Sequence, residues 1–130
     1  MAKLRFFHYD FAAMGSPCSI QLYASSAELG KQVAELVMDD VYRLGARFSR
    51  YREDSFLSEI NRIAAQGGHI TVDDETAGLL DYADTCYQQS DGLFDITSGI
   101  LRRAWDFKAG HIPSQETIHA LSDKIGWHKL

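Results

Sequence analysis

Between Ser25 and Phe48 the apolar residues Leu29, Val33, Leu36, Val37, Val41, Leu44 and Phe48 recur at steps of three and four. That spacing returns side chains to one face of a 3.6-residue helix and does not suit the two-residue period of a strand. It predicts a helix over 26–47, opened by the capping-box pair Ser25 and Glu28. An amphipathic helix needs a second layer to cover its apolar face. The residues just upstream offer one. Segment 4–13, LRFFHYDFAA, is aromatic-rich and partly alternating, and 18–24, CSIQLYA, sets Cys18, Ile20, Leu22 and Ala24 against Ser19, Gln21 and Tyr23. With Met14-Gly15-Ser16-Pro17 as the turn, the two read as a β-hairpin with one half-buried face.

Downstream the pattern turns helical with irregular connections. Phe48 to Asp54 (FSRYRED) is charged and aromatic and reads as irregular. Asp54 or Ser55 caps a short helix ending near Asn61, with Phe56, Ile60 and Ile63 as its apolar face, and Gly67-Gly68 stops it. His69 to Val72 reads as a short strand. Asp73 caps a helix over 74–89 with Leu79, Leu80, Ala83, Cys86 and Tyr87 on its apolar side, and Asp91-Gly92 makes a turn. Residues 96–105 read as at least partly helical. Pro113-Ser114 opens a helix over 115–123 that Gly126 ends, and Trp127 to Leu130 begins a strand. Strands and helices alternate without a βαβ rhythm, so the expected class is α+β.

The bulk numbers narrow the function. A length of 130 residues suits one domain, and a net charge of −5 argues against nucleic-acid binding, which needs clustered Lys and Arg. Cys18 and Cys86 form no CxxC pair and are expected as buried free thiols. The five histidines show no metal-pair spacing, and there is no HExxH, GxGxxG, Walker lysine or nucleophile-elbow motif. The N-terminus has no signal-peptide pattern, so the chain reads as cytoplasmic. Removal of a leader would make a periplasmic or membrane-anchored lipoprotein the alternative.

Three segments could carry chemistry, and each also has a plain structural reading. In Asp91-Gly-Leu-Phe-Asp-Ile-Thr-Ser-Gly99 backbone N–H groups could face phosphate oxygens, or Asp91 could shape a turn and Asp95 or Thr97 cap a helix. In Phe48–Asp54, Tyr51 could stack on a planar ring between Arg50 and Arg52, or lie as a lid on the core. At Met14-Gly15-Ser16 a ligand could approach the backbone, or the residues could only turn the hairpin. Read locally, the structural alternative is favoured for all three.

Taken in order, AAMGSPCSIQLYA, FSRYREDSFLSEIN, DGLFDITSGILRRAWDF and IPSQETIHAL resemble the N-terminal half of the ApbE family, the FAD:protein FMN transferases. The aspartate-glycine block is the specific one. Ser16 stands where the family usually has Thr, Ile100 where Pro is common and Asp106 where Gly is common. The resemblance implies a T-fold-like sheet with packed helices, of which residues 1–130 form the N-terminal part of a single domain with the C-terminal half absent. It implies FAD as substrate and Mg2+ as cofactor, with the metal ligands in the absent half and neither catalytic nor metal-binding residues in this chain. It implies FAD contacts at Met14, Tyr51, Gly92, Leu93 and Phe94. It leaves Asp91 and Asp95 as structural, and Ser55, Ser58 and Asn61 as caps and packing groups.

The implied reaction cuts the FAD pyrophosphate, releases AMP and joins FMN to a threonine of an acceptor flavoprotein subunit in a membrane redox complex. The isolated chain is expected to be inactive. The alternatives are a non-catalytic FAD-binding protein and an interaction scaffold. If the chain ends at Leu130, it is expected to complete its sheet another way or to form a homodimer covering the open strand edge.

Overall fold

The structure, a computed structural model, describes residues 3–105 and 110–130. Asp106 and Phe107, part of the sequence block after Trp105, lie outside the described residues. The described chain is α+β, with a two-stranded sheet and several helical segments.

β1 (Arg5–Ala13) and β2 (Ser16–Ala24) pair antiparallel in a register running from Arg5 opposite Ala24 to Ala13 opposite Ser16. Phe7, Tyr9, Phe11 and Ala13, with Cys18, Ile20, Leu22 and Ala24, are the more buried alternate residues, as their period of two requires. The turn is tighter than the four residues expected. Only Met14 (φ 51°) and Gly15 (φ 75°) form it, while Ser16 and Pro17 belong to β2. Two consecutive left-handed residues match the right-handed strand twist, which is why such turns favour glycine.

α1 (Ala27–Arg47) begins one residue later than the capping-box reading placed it. Ser26, not Ser25, is extended and accepts the Leu29 N–H at 3.1 Å. Its seating on the hairpin also differs from the expected stripe. The buried residues of α1 are Gly30 and Ala34, whereas Leu29, Val33, Leu36 and Val37 remain exposed. The hairpin face is bulky and aromatic, so the helix meets it with small residues. A Cβ on Gly30 would stand 2.9 Å from the Tyr9 hydroxyl and 3.2 Å from the Phe7 ring. Van der Waals contact at that closeness is open only to a residue without a side chain.

α2 (Phe56–Ala65) runs a turn beyond Asn61 from its Ser55 cap. It ends in a Schellman motif: Gly67, at φ 70°, gives its N–H to Ala64, and the Gly68 N–H reaches Ile63. Residues 69–72 are not a strand, contrary to their reading as one. A strand needs a neighbour for its backbone groups, and the only described sheet is the hairpin. α3 (Asp74–Gln89) matches its expected bounds and its Asp73 cap.

A 3₁₀ segment (Ile96–Arg103) and α4 (Gln115–Ser122), capped by Ser114, follow. The strand expected from Trp127 is instead a 3₁₀ turn (Trp127–Lys129). The two N–H groups of Trp127 are claimed by carboxylates rather than by a sheet partner: its backbone N–H donates to Asp95, and its indole N–H donates to Asp84.

The chain divides into two compact units, one up to Ile70 and one from Thr71 onward. In the first, Ala13, Ala24 and Ala34 are buried apolar side chains, and in the second Ala83 and Pro113. No large side chain among those described is fully buried. Both cysteines are free and half-buried, less enclosed than expected. No helix among the described residues is long and apolar enough to cross a membrane.

Candidate functional site

The first unit carries two of the five expected flavin contacts. Met14 stands at the hairpin bend, 73% exposed, and its side chain folds back toward α1. Its Cγ lies 3.3 Å from where a Cβ on Gly45 would be. Around it open two adjoining hollows. One, of about 470 Å³, is bounded by residues 12–17 and Tyr42; the other, of about 450 Å³, by Ala13, Met14, Val41, Tyr42, Gly45, Ala46 and Arg52. Tyr42 is steadied by an edge-on contact with Phe11, ring centres 6.0 Å apart.

The loop carrying Tyr51 is laced from below by serines. Ser55 Oγ donates to the Ser49 carbonyl and accepts the Ser58 N–H, and Ser58 Oγ donates to the Arg52 carbonyl at 2.6 Å. These are the capping and packing roles the sequence assigns to Ser55 and Ser58. The Arg47 guanidinium lies over the Phe48 and Phe56 rings at 5.4 and 4.6 Å, joining the end of α1 to the start of α2. Tyr51 itself is 68% exposed, so it is not a lid on the core. Arg50 sits over its ring at 5.2 Å and donates to its hydroxyl at 3.2 Å. Arg52 makes a two-pronged ion pair with Asp54, at 3.0 and 2.8 Å. The hydrogen bond from Arg52, and then its charge, hold the Asp54 carboxyl below its usual range.

The second unit carries the aspartate-glycine block. Asp91 (φ 52°) and Gly92 (φ 79°) are both left-handed and close α3 in a second Schellman motif. The Gly92 N–H reaches the Tyr87 carbonyl at 2.9 Å, and the Asp91 N–H reaches Gln88 at 3.3 Å. Gly92 therefore has a local backbone reason to be glycine, beside any room it leaves for a ligand. Leu93 is 92% exposed and Phe94 46%, with the Phe94 N–H held by Ser90 Oγ at 2.8 Å. The block thus presents two apolar side chains to the surface from a fixed backbone.

Asp95 is structural, as the sequence reading favours. One carboxylate oxygen accepts the Thr97 N–H at 2.8 Å and the Thr97 hydroxyl at 2.6 Å, and the other accepts the Trp127 N–H at 3.0 Å. Burial pushes this carboxyl up, but the Thr97 and Trp127 hydrogen bonds and the nearby His128 together hold it below the usual range. Among the described residues no group of three His, Cys, Asp or Glu side chains is placed to hold a metal ion.

Sequence reasoning missed Tyr42 and Gly45. Tyr42 sits between Val41 and Arg43 outside the apolar stripe, so nothing in the periodicity singles it out. Gly45 lies in the last turn of α1, where a glycine is ordinary, so the sequence gives no signal for it either.

Fold and site together describe an α+β chain that presents apolar and aromatic side chains from a hairpin bend, a tyrosine loop and a helix-capping aspartate-glycine bend. A family model described as the ApbE family matches residues 14–130. The chain belongs to the ApbE family.

Among its relatives is a FAD:protein FMN transferase of Chlamydia muridarum, 30% identical over 125 residues, covering 94% of this chain and 39% of the relative. Another, of Chlamydia trachomatis, is 33% identical over 102 residues, covering 76% of this chain and 32% of the relative. Among solved structures, the ApbE protein of Thermotoga maritima superposes with a TM-score of 0.76 at 26% identity, over 95% of this chain and 40% of its own. The apo flavinyl transferase ApbE of Pseudomonas stutzeri superposes with a TM-score of 0.74 at 21% identity, over 96% of this chain and 41% of its own, a likeness of fold. The chain therefore spans about a third to two-fifths of the length of these relatives.

Proposed function

We propose that this chain is the FAD-holding portion of an FAD:protein FMN transferase. The observation that carries the reading is the family match over residues 14–130, joined to relatives named for that activity. In the proposed reaction an acceptor threonine Oγ bonds to the FMN phosphorus. The anhydride P–O bond breaks, AMP leaves with the bridging oxygen, and the hydroxyl proton is given up. Mg2+, when bound, supplies charge neutralisation at the phosphoryl oxygens.

This chain's own contribution is to bind and orient FAD through Met14, Tyr51, Gly92, Leu93 and Phe94. The exposure of Tyr51 and Leu93 supports that role, because a ring that stacks on a ligand must reach solvent in the free protein. The acceptor is a flavoprotein subunit of a membrane redox complex. The 130 residues alone are inactive, a reading supported by the chain spanning only about two-fifths of the length of the relative named for this activity.

The test incubates the full-length gene product with FAD, Mg2+ and an acceptor protein. A mass gain of one FMN on the acceptor is expected. Tight FAD binding without that gain would replace the reading with a flavin-binding protein. The Tyr51→Ala variant is expected to bind FAD about 3- to 10-fold more weakly, the size of a lost stacking contact. Unchanged affinity in a fluorescence-quenching titration would remove Tyr51 from the site.

A further inference from the structure

We infer that Trp127 is a positioning residue for the apolar bend Gly92-Leu93-Phe94, tying together the two legs of chain that carry it. The inference rests on the reading of Leu93 and Phe94 as FAD contacts and deepens it, because Trp127 is not among those contacts and acts only through the backbone that presents them.

The bend is the apex of a loop. One leg is α3, which carries Asp84; the other is the start of the 3₁₀ segment, capped by Asp95. Trp127 holds both legs. Its indole N–H donates to Asp84, and its backbone N–H donates to Asp95 Oδ2 at 3.0 Å. The residue before it adds a third tie, since the Gly126 N–H donates to Thr97 Oγ1 at 2.9 Å. Asp84, Asp95 and Trp127 are all half-buried. An N–H donating to an ionised carboxylate away from bulk water makes a stronger hydrogen bond than a neutral pair does.

The bend needs such a tie. Leu93 and Phe94 are exposed, so packing does little to fix them. Asp91 stands at φ 52°, a conformation unfavourable for a residue with a side chain. The local hydrogen bonds, from the Gly92 N–H to the Tyr87 carbonyl and from the Phe94 N–H to Ser90 Oγ, fasten the bend to the end of α3. They leave its second leg to Asp95, and Trp127 refers Asp95 back to α3. Apolar side chains set in place before a ligand arrives lose less freedom when it binds. The tie through Trp127 supplies that order in advance.

The experiment measures the FAD dissociation constant of the full-length gene product by flavin fluorescence quenching, each variant being assayed below its own melting transition. Trp127→Phe keeps an aromatic ring and the backbone N–H and removes only the indole donor. It is expected to bind FAD about 3- to 10-fold more weakly, the size of ordering one or two side chains. Asp84→Leu removes the acceptor of the same bond and is expected to match it, while Asp84→Asn keeps an acceptor oxygen and is expected to weaken binding less. The double variant Trp127→Phe with Asp84→Leu is expected to bind no more weakly than either alone, because the two groups make one bond. In a background carrying Leu93→Ala and Phe94→Ala, Trp127→Phe is expected to have no further effect, since the side chains it places are gone.

A lowered melting temperature with native FAD affinity in Trp127→Phe and Asp84→Leu would make the bond a matter of stability alone and overturn the inference, leaving the FAD reading standing. So would an undiminished effect of Trp127→Phe in the Leu93→Ala, Phe94→Ala background. If Trp127→Phe does not fold, the contrast between Asp84→Leu and Asp84→Asn decides, and equal affinities there overturn the inference. No quenching by the native protein would overturn the inference and the FAD-holding reading together.

Discussion

At the scale of single residues, the second unit depends on Asp95. Its carboxylate gathers three hydrogen bonds, two from Thr97 and one from Trp127, and Thr97 Oγ1 in turn accepts the Gly126 N–H at 2.9 Å. An asparagine could accept at only one oxygen, so Asp95→Asn is expected to cost about 1–3 kcal/mol near neutral pH. The cost should depend on pH in a defined sense. A carboxyl whose folded value lies below its unfolded one contributes stability above the unfolded value, here 3.8, and loses it as pH falls through the lower folded value. The native chain and Asp95→Asn should therefore differ most at pH 6–7 and converge toward pH 2–3 in urea unfolding followed by tryptophan fluorescence. A constant gap across that range would show that the charge of Asp95 contributes nothing. Asp95 was legible in the sequence as a cap for the helical segment after it. Its second role, holding Trp127 thirty-two residues away, was not, because nothing in a local pattern states which distant N–H a carboxylate will meet.

At the scale of elements, α1 shows how a correct periodicity can misplace the most buried face. The spacing of Leu29, Val33, Leu36, Val37, Val41, Leu44 and Phe48 placed the helix correctly, yet the first four stay exposed, the last three are half-buried, and the helix is most deeply seated at Gly30 and Ala34. The decision lies in the partner surface. Phe7 and Tyr9 project so far from the hairpin that only small residues allow the helix axis to approach. Two substitutions separate the faces. Leu36→Glu, at a position 70% exposed, is expected to change stability by less than about 0.5 kcal/mol. Ala34→Leu, at a position only 1% exposed, is expected to cost about 1–3 kcal/mol through overpacking. Thermal melts of the two would give the reverse order if the sequence stripe were the seated face. The helix caps, by contrast, were local enough to read. Ser55, Asp73 and Ser114 each precede an apolar period and each accept the N–H three residues on.

At the scale of the whole molecule, the described residues bury only four alanines and Pro113 among their apolar side chains, while Leu29, Leu36, Leu79, Tyr82, Leu93 and Phe94 stay open. The 130-residue chain is therefore expected to bind a hydrophobic dye such as ANS under native conditions. Replacing Val33 and Leu36 together by Glu should lower that signal without loss of helical circular dichroism, and an unchanged signal would locate the dye elsewhere. The chain by itself determined its helices, its hairpin, most of its caps and its membership of the ApbE family, because these follow from spacing and local chemistry within a few residues. Only the tertiary structure decided which face of α1 is seated, that residues 69–72 and 127–130 are not strands, and that Gly45 and Tyr42 border the hollow beneath Met14. Those outcomes depend on which surfaces meet across long sequence separations, where shape and competing hydrogen-bond partners outweigh local preference.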